Sequence, residues 1–159
     1  MRFLAKTLSF LFSTLLFTSA FAQKPVEGSY RLNGKDGKLA YVVAQKGEPF
    51  HDMPVTVLVF TEKDAGRDAK PDEAARTGRF GDALVARLCK TDWGWDVLGA
   101  EWVHPAIEGS HHASSAGIVK ATDVKVANGE ISGRLKTDPG EKFLGQPTEV
   151  DLRFHAKQP

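Results

Sequence analysis

Residues 123–135, DVKVANGEISGRL, alternate apolar and polar side chains on both sides of an Asn-Gly pair. Asn-Gly suits a two-residue type I′ turn because both central positions of that turn need a positive φ. This register places Val126 opposite Ile131 on one face of the hairpin and Asp123 opposite Arg134, as an ion pair, on the other. Turn chemistry and hydrophobic pattern agree, so the stretch predicts a β-hairpin.

The chain on either side of this hairpin repeats the pattern of short strands between turns. Residues 149–154 alternate in the same way, with the apolar side chains predicted to face inward. Residues 84–90 and 95–103 flank a further turn, Thr91-Asp92-Trp93-Gly94, and predict a second hairpin. Strands at such regular spacing are typical of sandwiches and barrels.

Two earlier runs, residues 39–44 and 55–60, are almost continuously apolar and rich in β-branched and aromatic side chains, which is typical of central strands. One helix is predicted at residues 71–77, followed by Gly78 as a stop, inside a charged loop over residues 62–81. The sequence therefore predicts an all-β fold: a single antiparallel β-sandwich or barrel of about eight strands, with one short helix in a long loop. The pattern does not separate a sandwich from a barrel.

The first 22 residues have the composition of a signal peptide. A basic start precedes an apolar run over residues 8–17, and Ala-Phe-Ala at residues 20–22 forms a small-x-small cleavage pattern. The run is shorter than the roughly 20 apolar residues that a membrane-spanning helix needs. We therefore expect residues 1–22 to be removed and residues 23–159 to form one β domain in the periplasm or outside the cell, without membrane insertion.

Charge and cysteine content narrow the possible partners. The precursor carries a net charge of +1, and removal of residues 1–22 would leave −1, because that segment holds two of the 21 basic residues and none of the 20 acidic ones. A near-neutral chain without a basic stretch argues against nucleic acid and anionic membranes as partners. Cys89 is the only cysteine, so we expect a buried, unreactive thiol and a fold that rests on its core. The sequence does not indicate an oligomeric state.

Standard catalytic signatures are missing from the sequence. It contains no G-x-S-x-G motif, no H-E-x-x-H motif and no phosphate-binding glycine loop. Its serines beside glycine stand in turn-like stretches, where both residue types are common for structural reasons. We predict no catalytic residues and no enzymatic activity, and a hydrolase is the third and least favoured hypothesis.

The histidines support a metal-binding alternative. His104 ends one predicted strand, His111 and His112 follow in the next loop, and His51 and Met53 form a His-x-Met motif before another strand. Imidazole binds zinc and copper, and a thioether binds Cu(I). A copper or zinc site at His104, His111 and His112 is therefore the second hypothesis, against the alternative that these loop imidazoles are only solvated.

The tryptophans and the charged loop support a protein-binding function. Trp93 is predicted at a hairpin tip, where little backbone surrounds the indole, and strict alternation places Trp95 and Trp102 on opposite faces of their strand. Exposed aromatic residues often anchor protein interfaces. We therefore predict a partner-binding surface of two tryptophans and three charged loop residues: Trp93, Trp95, Arg67, Asp72 and Arg76.

The strand and turn elements resemble an uncharacterised family of exported bacterial β domains. The motifs that carry this resemblance are Gly28-Ser29-Tyr30, Asn33-Gly34-Lys35, Leu58-Val59-Phe60-Thr61, Gly78-Arg79-Phe80-Gly81, residues 129–135, Phe143-Leu144-Gly145 and Val150-Asp151-Leu152. In size and compartment the chain also resembles periplasmic lysozyme inhibitors and immunity proteins. Several such inhibitors insert a Ser-Gly loop followed by Tyr, whereas Arg134 and Leu135 follow Ser132-Gly133 in this chain. The first resemblance implies the fold only, and the second, through size, compartment and fold class, implies an inhibitor or immunity protein that binds another protein of the cell envelope.

Overall fold

The computed structural model describes residues 25–109 and 111–159, so the predicted signal peptide at residues 1–22 lies outside the described residues. Within them the chain forms one helix, α1 (Pro71–Arg76), and the following strands: β1 (Val26–Leu32), β2 (Lys35–Asp36), β3 (Tyr41–Lys46), β4 (Val55–Thr61), β5 (Ala83–Thr91), β6 (Gly94–Val103), β7 (His112–Ser115), β8 (Lys120–Ala127), β9 (Glu130–Lys136), β10 (Lys142–Phe143) and β11 (Gln146–Lys157). There are more strands than the predicted eight, mainly because β2, β7 and β10 are too short to stand out in the sequence.

The strands form two antiparallel sheets. One sheet has the order β2-β1-β11-β9-β8, with β10 paired to β11, and the other has the order β3-β4-β5-β6-β7. In the described part of the chain both sheets stay open, so the all-β prediction is confirmed in its sandwich form. Four of the strand pairs, β1–β2, β5–β6, β8–β9 and β10–β11, are joined by two-residue turns, and the β5–β6 and β8–β9 hairpins are those that the turn signals predicted.

The main core lies between the two sheets. On β11, residues 150, 152 and 154 are buried and the residues between them face outward, which confirms the predicted alternation. The ring of Phe154 packs edge to face against the ring of Phe60, which belongs to the opposite sheet, with centroids 5.7 Å apart. Burial of such side chains stabilises the fold by about 2 kcal/mol each, so the inter-sheet core is the main source of stability.

A second, smaller core lies on the outer face of the five-stranded sheet. The helix predicted at residues 71–77 forms over Pro71–Arg76 and packs on this face with Pro71 and Ala75 buried. Val57 and Val59 of β4 point toward this second core, while Leu58 and Phe60 point into the inter-sheet core. Burial on both faces explains the continuous apolar run of β4, which is a central strand as predicted.

The Asn-Gly hairpin is confirmed, but its ion pair is not. Asn128 and Gly129 have φ values of 54° and 74°, and Val126 pairs with Ile131. Beyond this pair the strands are shifted by a β-bulge: Asp123, which has a φ of 55°, and Val124 together lie opposite Gly133 of β9. Arg134 therefore lies opposite Thr122 rather than Asp123, and its Nε donates to Oδ1 of Asp151 on β11, at 2.5 Å.

Two further expectations from alternation were wrong. The run at residues 39–44 was expected to be a central strand, but β3 begins at Tyr41 and lies at the edge of its sheet. Trp95 and Trp102 were expected on opposite faces, but Leu98 is an extra residue in β6 between the pairs of Val97 and Gly99 with β5. This bulge reverses the alternation, so both indoles turn toward the inter-sheet core.

Candidate protein-binding surface

The β5–β6 hairpin ends in a tight turn that holds Trp93 away from the rest of the molecule. Thr91 pairs with Gly94 across the turn, and Gly94 adopts a φ of 137° that only glycine adopts readily. The Thr91 hydroxyl accepts a hydrogen bond from the Trp93 N–H at 3.3 Å and donates one to the Gly94 carbonyl at 3.2 Å. The Trp93 side chain is 97% exposed. The backbone of the tip is therefore fixed while its indole is left in solvent.

The other two tryptophans have internal roles. Trp102 is fully buried, stacks on Tyr30 and Phe143 with ring centroids 5.7 and 4.8 Å away, and donates its indole N–H to Ser115 Oγ at 2.8 Å. Trp95, predicted as a partner-binding residue, is half-buried against the inter-sheet core. Only a part of the Trp95 ring is thus available to a partner, whereas nearly all of Trp93 is.

A second exposed aromatic residue lies at the same end of the five-stranded sheet. Lys46 at the end of β3 pairs with Thr56, so the loop that joins β3 to β4 projects from the end of the sheet that carries the Trp93 turn. Phe50 in this loop is 40% exposed, and its ring is packed edge to face by His51 with centroids 4.4 Å apart. The sequence reasoning missed Phe50.

Two of the predicted charged residues meet in a network on the outer face of the same sheet. Arg76 of α1 binds Glu101 of β6 through two hydrogen bonds, Nε to Oε2 at 2.5 Å and Nη2 to Oε1 at 2.9 Å, and its Nη1 donates to Asp72 Oδ2 at 3.0 Å. His112 Nε2 lies 3.2 Å from Glu101 Oε2. The network ties α1 to the sheet, so Arg76 and Asp72 already have internal partners.

The carboxylates of this network are held in their charged form. Burial of Glu101 favours protonation, but the hydrogen bonds and charge of Arg76, with a smaller contribution from His112, lower its pKa below the ordinary value. Burial of Asp72 is likewise outweighed, here by a hydrogen bond from Gln45 and by the charge of Arg76, so its pKa is also lowered. Both carboxylates therefore stay ionised at neutral pH.

A polar cleft of about 310 Å³ opens beside this network. Its walls come from β3, β4, β5, β6 and α1: Gln45, Lys46, Gly47, Glu48, Val57, Asp72, Arg76, Arg87 and Glu101. Glu101, at one end of the cleft, is seven positions from Gly94 on β6, or roughly 20 Å at the usual rise of a strand, whereas Gly47 and Glu48 belong to the loop that projects from the same end of the sheet as the Trp93 turn. Arg67 is exposed in the loop before α1 and does not line the cleft.

The three histidines of the metal hypothesis point in different directions. His104 is buried, and its Nδ1 accepts a hydrogen bond from the Ala106 N–H at 3.0 Å, whereas His111 is exposed and His112 faces Glu101. Across residues 25–109 and 111–159, no group of three or more His, Cys, Asp and Glu side chains is placed to hold a metal ion. Copper or zinc binding stays a prediction of the sequence.

Comparison with known proteins gives no relative from which a function could be transferred: no family model, curated protein or solved structure matches the chain. None of the described helices has the length and apolar character needed to cross a membrane. Ser132 and Gly133, which were compared with an inhibitor loop, lie inside β9 between β8 and β11.

Proposed function

We propose that this chain is a non-enzymatic protein-binding module of the cell envelope. Its most specific form is an inhibitor or immunity protein that acts against a cell-envelope enzyme or effector. The observation that carries the proposal is the 97% exposed indole of Trp93 on an ordered hairpin tip. Such an indole offers a partner a large apolar surface to cover, and tryptophan is enriched among the residues that anchor protein interfaces.

The tip has the physical properties of a binding anchor. Phe, Tyr and Trp each bury about 150–250 Å² when covered, and the Trp93 backbone is already held by the Thr91 hydroxyl. Binding would therefore need little ordering of the backbone, and the entropy cost at the tip falls on the indole side chain. A projecting turn is also the shape that enters a concave surface, such as the cleft of an enzyme.

The surroundings of Trp93 give the partner further contacts. Phe50 supplies a second exposed ring at the same end of the sheet. Arg67 is exposed in its loop and can attract an acidic partner. The charge of Arg76 is less available, because Arg76 is already paired with Asp72. A standard interface covers about 800 Å² on each protein, or roughly 30 Å across, so one partner can contact the tip and the polar cleft together.

Replacement of Trp93 by alanine tests this function. The full chain, expressed with its own N-terminal segment and purified from the exported fraction, is immobilised and exposed to a cell-envelope extract, and bound proteins are quantified by mass spectrometry. Trp93→Ala should weaken binding of the captured partner at least 30-fold, which corresponds to about 2 kcal/mol. The melting temperature should change by less than about 2 °C, because Trp93 makes no core contacts.

Leu144→Ala is the matched control. Leu144 is another exposed apolar residue at a two-residue turn, with 59% of its surface accessible, and its loss should leave binding unchanged. Equal capture by the parent chain and Trp93→Ala would refute the proposed anchor, and a large fall in the Trp93→Ala melting temperature would place the indole in the fold. For the inhibitor form, the captured enzyme should lose activity on purified cell wall when the parent chain is added, but not when Trp93→Ala is added.

A further inference from the structure

Strand β3 lies at the edge of its sheet and has one hydrogen-bonded neighbour among the described residues. It lies at the end of the five-stranded sheet and pairs, among the described residues, with β4 alone. The Gly47 N–H donates to the Val55 carbonyl at 2.8 Å, so the two-residue period of an antiparallel ladder directs the backbone groups of Gln45 and Val43 toward β4. The N–H and C=O groups of Val42 and Ala44 therefore point away from the sheet.

The other sheet edges carry features that discourage pairing with another chain. Strand β8 is interrupted by the bulge at Asp123 and carries Lys120 and Lys125, and both bulges and lysines are common protection of exposed edges. Strands β2 and β7 span only two and four residues. Strand β3 runs for six residues, and the first five of them, Tyr41 to Gln45, include no charge and no proline.

The composition of β3 is that of a strand with neighbours on both sides. The run of Tyr, Val, Val and Ala is typical of a central strand, yet among the described residues β3 lies at an edge of the sheet. Val42 and Ala44 pack inward against the inter-sheet core, whereas Val43 belongs to neither core cluster. A sixth strand beside β3 would satisfy both the free backbone groups and the apolar composition.

We propose that the missing neighbour is β3 of a second copy of this chain, paired antiparallel about a two-fold axis at Val43. Opposite residues of an antiparallel pair point to the same face, and this register satisfies that condition by placing Val43 against the second copy's Val43 and Val42 against its Ala44. The outward backbone groups then form about four N–H···O=C bonds between the copies. The result is a continuous ten-stranded sheet.

The charges on β3 favour a second copy as the occupant. In this register Lys46 lies opposite Ala40 of the other copy, so the two lysines stay at opposite ends and like charges do not meet. Tyr41 lies opposite Gln45, which places a ring over an amide. Two-fold symmetry is also the most common symmetry among oligomers of a single chain. The proposal is independent of Trp93, whose turn is separated from β3 by β4.

Sedimentation velocity of the full chain, purified from the exported fraction, measures the oligomeric state. We expect a concentration-dependent dimer for the parent chain and at least a tenfold increase in dimer dissociation constant for Val43→Lys, which brings two ammonium groups together at the axis. Val126→Lys is the matched control, since Val126 is 41% exposed on the other long edge strand, β8, and it should dimerise like the parent chain. A parent chain that stays monomeric up to 100 µM would refute the proposal, as would a dimer unaffected by Val43→Lys.

Two cysteine variants test the register even if Val43→Lys does not fold. Residues at the axis in a non-hydrogen-bonded pair have Cα atoms about 4.5 Å apart, close enough for a disulfide. Val43→Cys should therefore form a covalent dimer under mild oxidation. Gln45→Cys should not, because its two copies are separated by four residue positions along the strands. Equal cross-linking of both variants, or cross-linking of neither, would overturn the proposed pairing.

Discussion

Gly28 is the position where one added methyl group should be most damaging. It lies in β1 opposite Leu152 of β11 with a φ of 129°, and a Cβ built on it would lie 1.8 Å from the backbone oxygen of Asp151. Backbone atoms cannot yield as the end of a flexible side chain can. Gly28→Ala must therefore push β1 away from β11, whereas Gly129→Ala, at a φ of 74° with no atom within 4 Å, changes only the preferred backbone conformation.

The expected cost follows from this geometry. To restore a contact of 3.0 Å, the Asp151 oxygen must retreat by about 1.2 Å, which stretches the neighbouring β1–β11 hydrogen bonds beyond a bonding distance. Loss of about two such bonds costs roughly 2 kcal/mol, and the strained φ adds about 1–3 kcal/mol. Gly28→Ala should lower the free energy of unfolding by about 4 kcal/mol. Gly129→Ala should lower it by about 1 kcal/mol.

Thermal and urea unfolding followed by circular dichroism measure both variants. For a chain of this size 1 kcal/mol corresponds to roughly 3–5 °C, so Gly28→Ala should melt at least 12 °C below the parent chain and Gly129→Ala about 4 °C below it. The urea m-value should stay constant in both, since the same surface is exposed on unfolding. Equal losses in the two variants would show that β1 and β11 do not approach as closely at Gly28 as described.

Two predictions concern pH and charge. Burial lowers the pKa of His104 below the ordinary value near 6.5, so the unfolded state binds a proton that the folded state excludes. The free energy of unfolding should therefore fall as the pH drops below about 6.5. His104→Asn should flatten this part of the curve of stability against pH, measured by urea unfolding. Arg76 lowers the pKa of Glu101, so the stabilisation that Glu101 contributes to the folded state is present above pH 4.5 and lost below it. Glu101→Gln should lower the free energy of unfolding by about 1–2 kcal/mol at pH 7. A cycle with Arg76→Met should give a coupling energy above 0.5 kcal/mol, and simple additivity of the two changes would argue against the ion pair.

Local signals in the sequence predicted much of the fold. Asn128-Gly129 and the turn around Trp93 are set by the residues of the turn itself, so both hairpins and their exposed tips follow from the sequence. The helix is marked by Pro71 at its start and Gly78 after its end, and it forms at that place. These features depend on residues within a few positions of one another.

Most of the errors arise where the outcome depends on distant parts of the chain. The bulge at Leu98 reverses the alternation of β6, and the adjacent Gly99, a residue type that often marks a bulge, was the local signal that strict alternation ignored. Arg76 and Glu101 are 25 positions apart and meet only because α1 folds back over the sheet. His104 is buried by Tyr30, whose ring packs edge to face with the imidazole at a centroid distance of 5.0 Å. Alternation from Trp102 predicts that Glu101 faces outward, but it does not predict that Arg76 of α1 binds Glu101 there.

The pairing of β1 with β11 also determines how the protein responds to mechanical force. Val26 at the start of β1 lies opposite Phe154 near the end of β11, and the His155 N–H donates to the Pro25 carbonyl at 3.0 Å. A load applied between these two ends acts across the ladder and opens its hydrogen bonds one pair at a time, starting at Pro25. Peeling of this kind needs far less force than sliding two strands past each other. The protein should therefore open from β1 and β11 at low force, while the five-stranded sheet that carries Trp93 stays intact until the core is exposed.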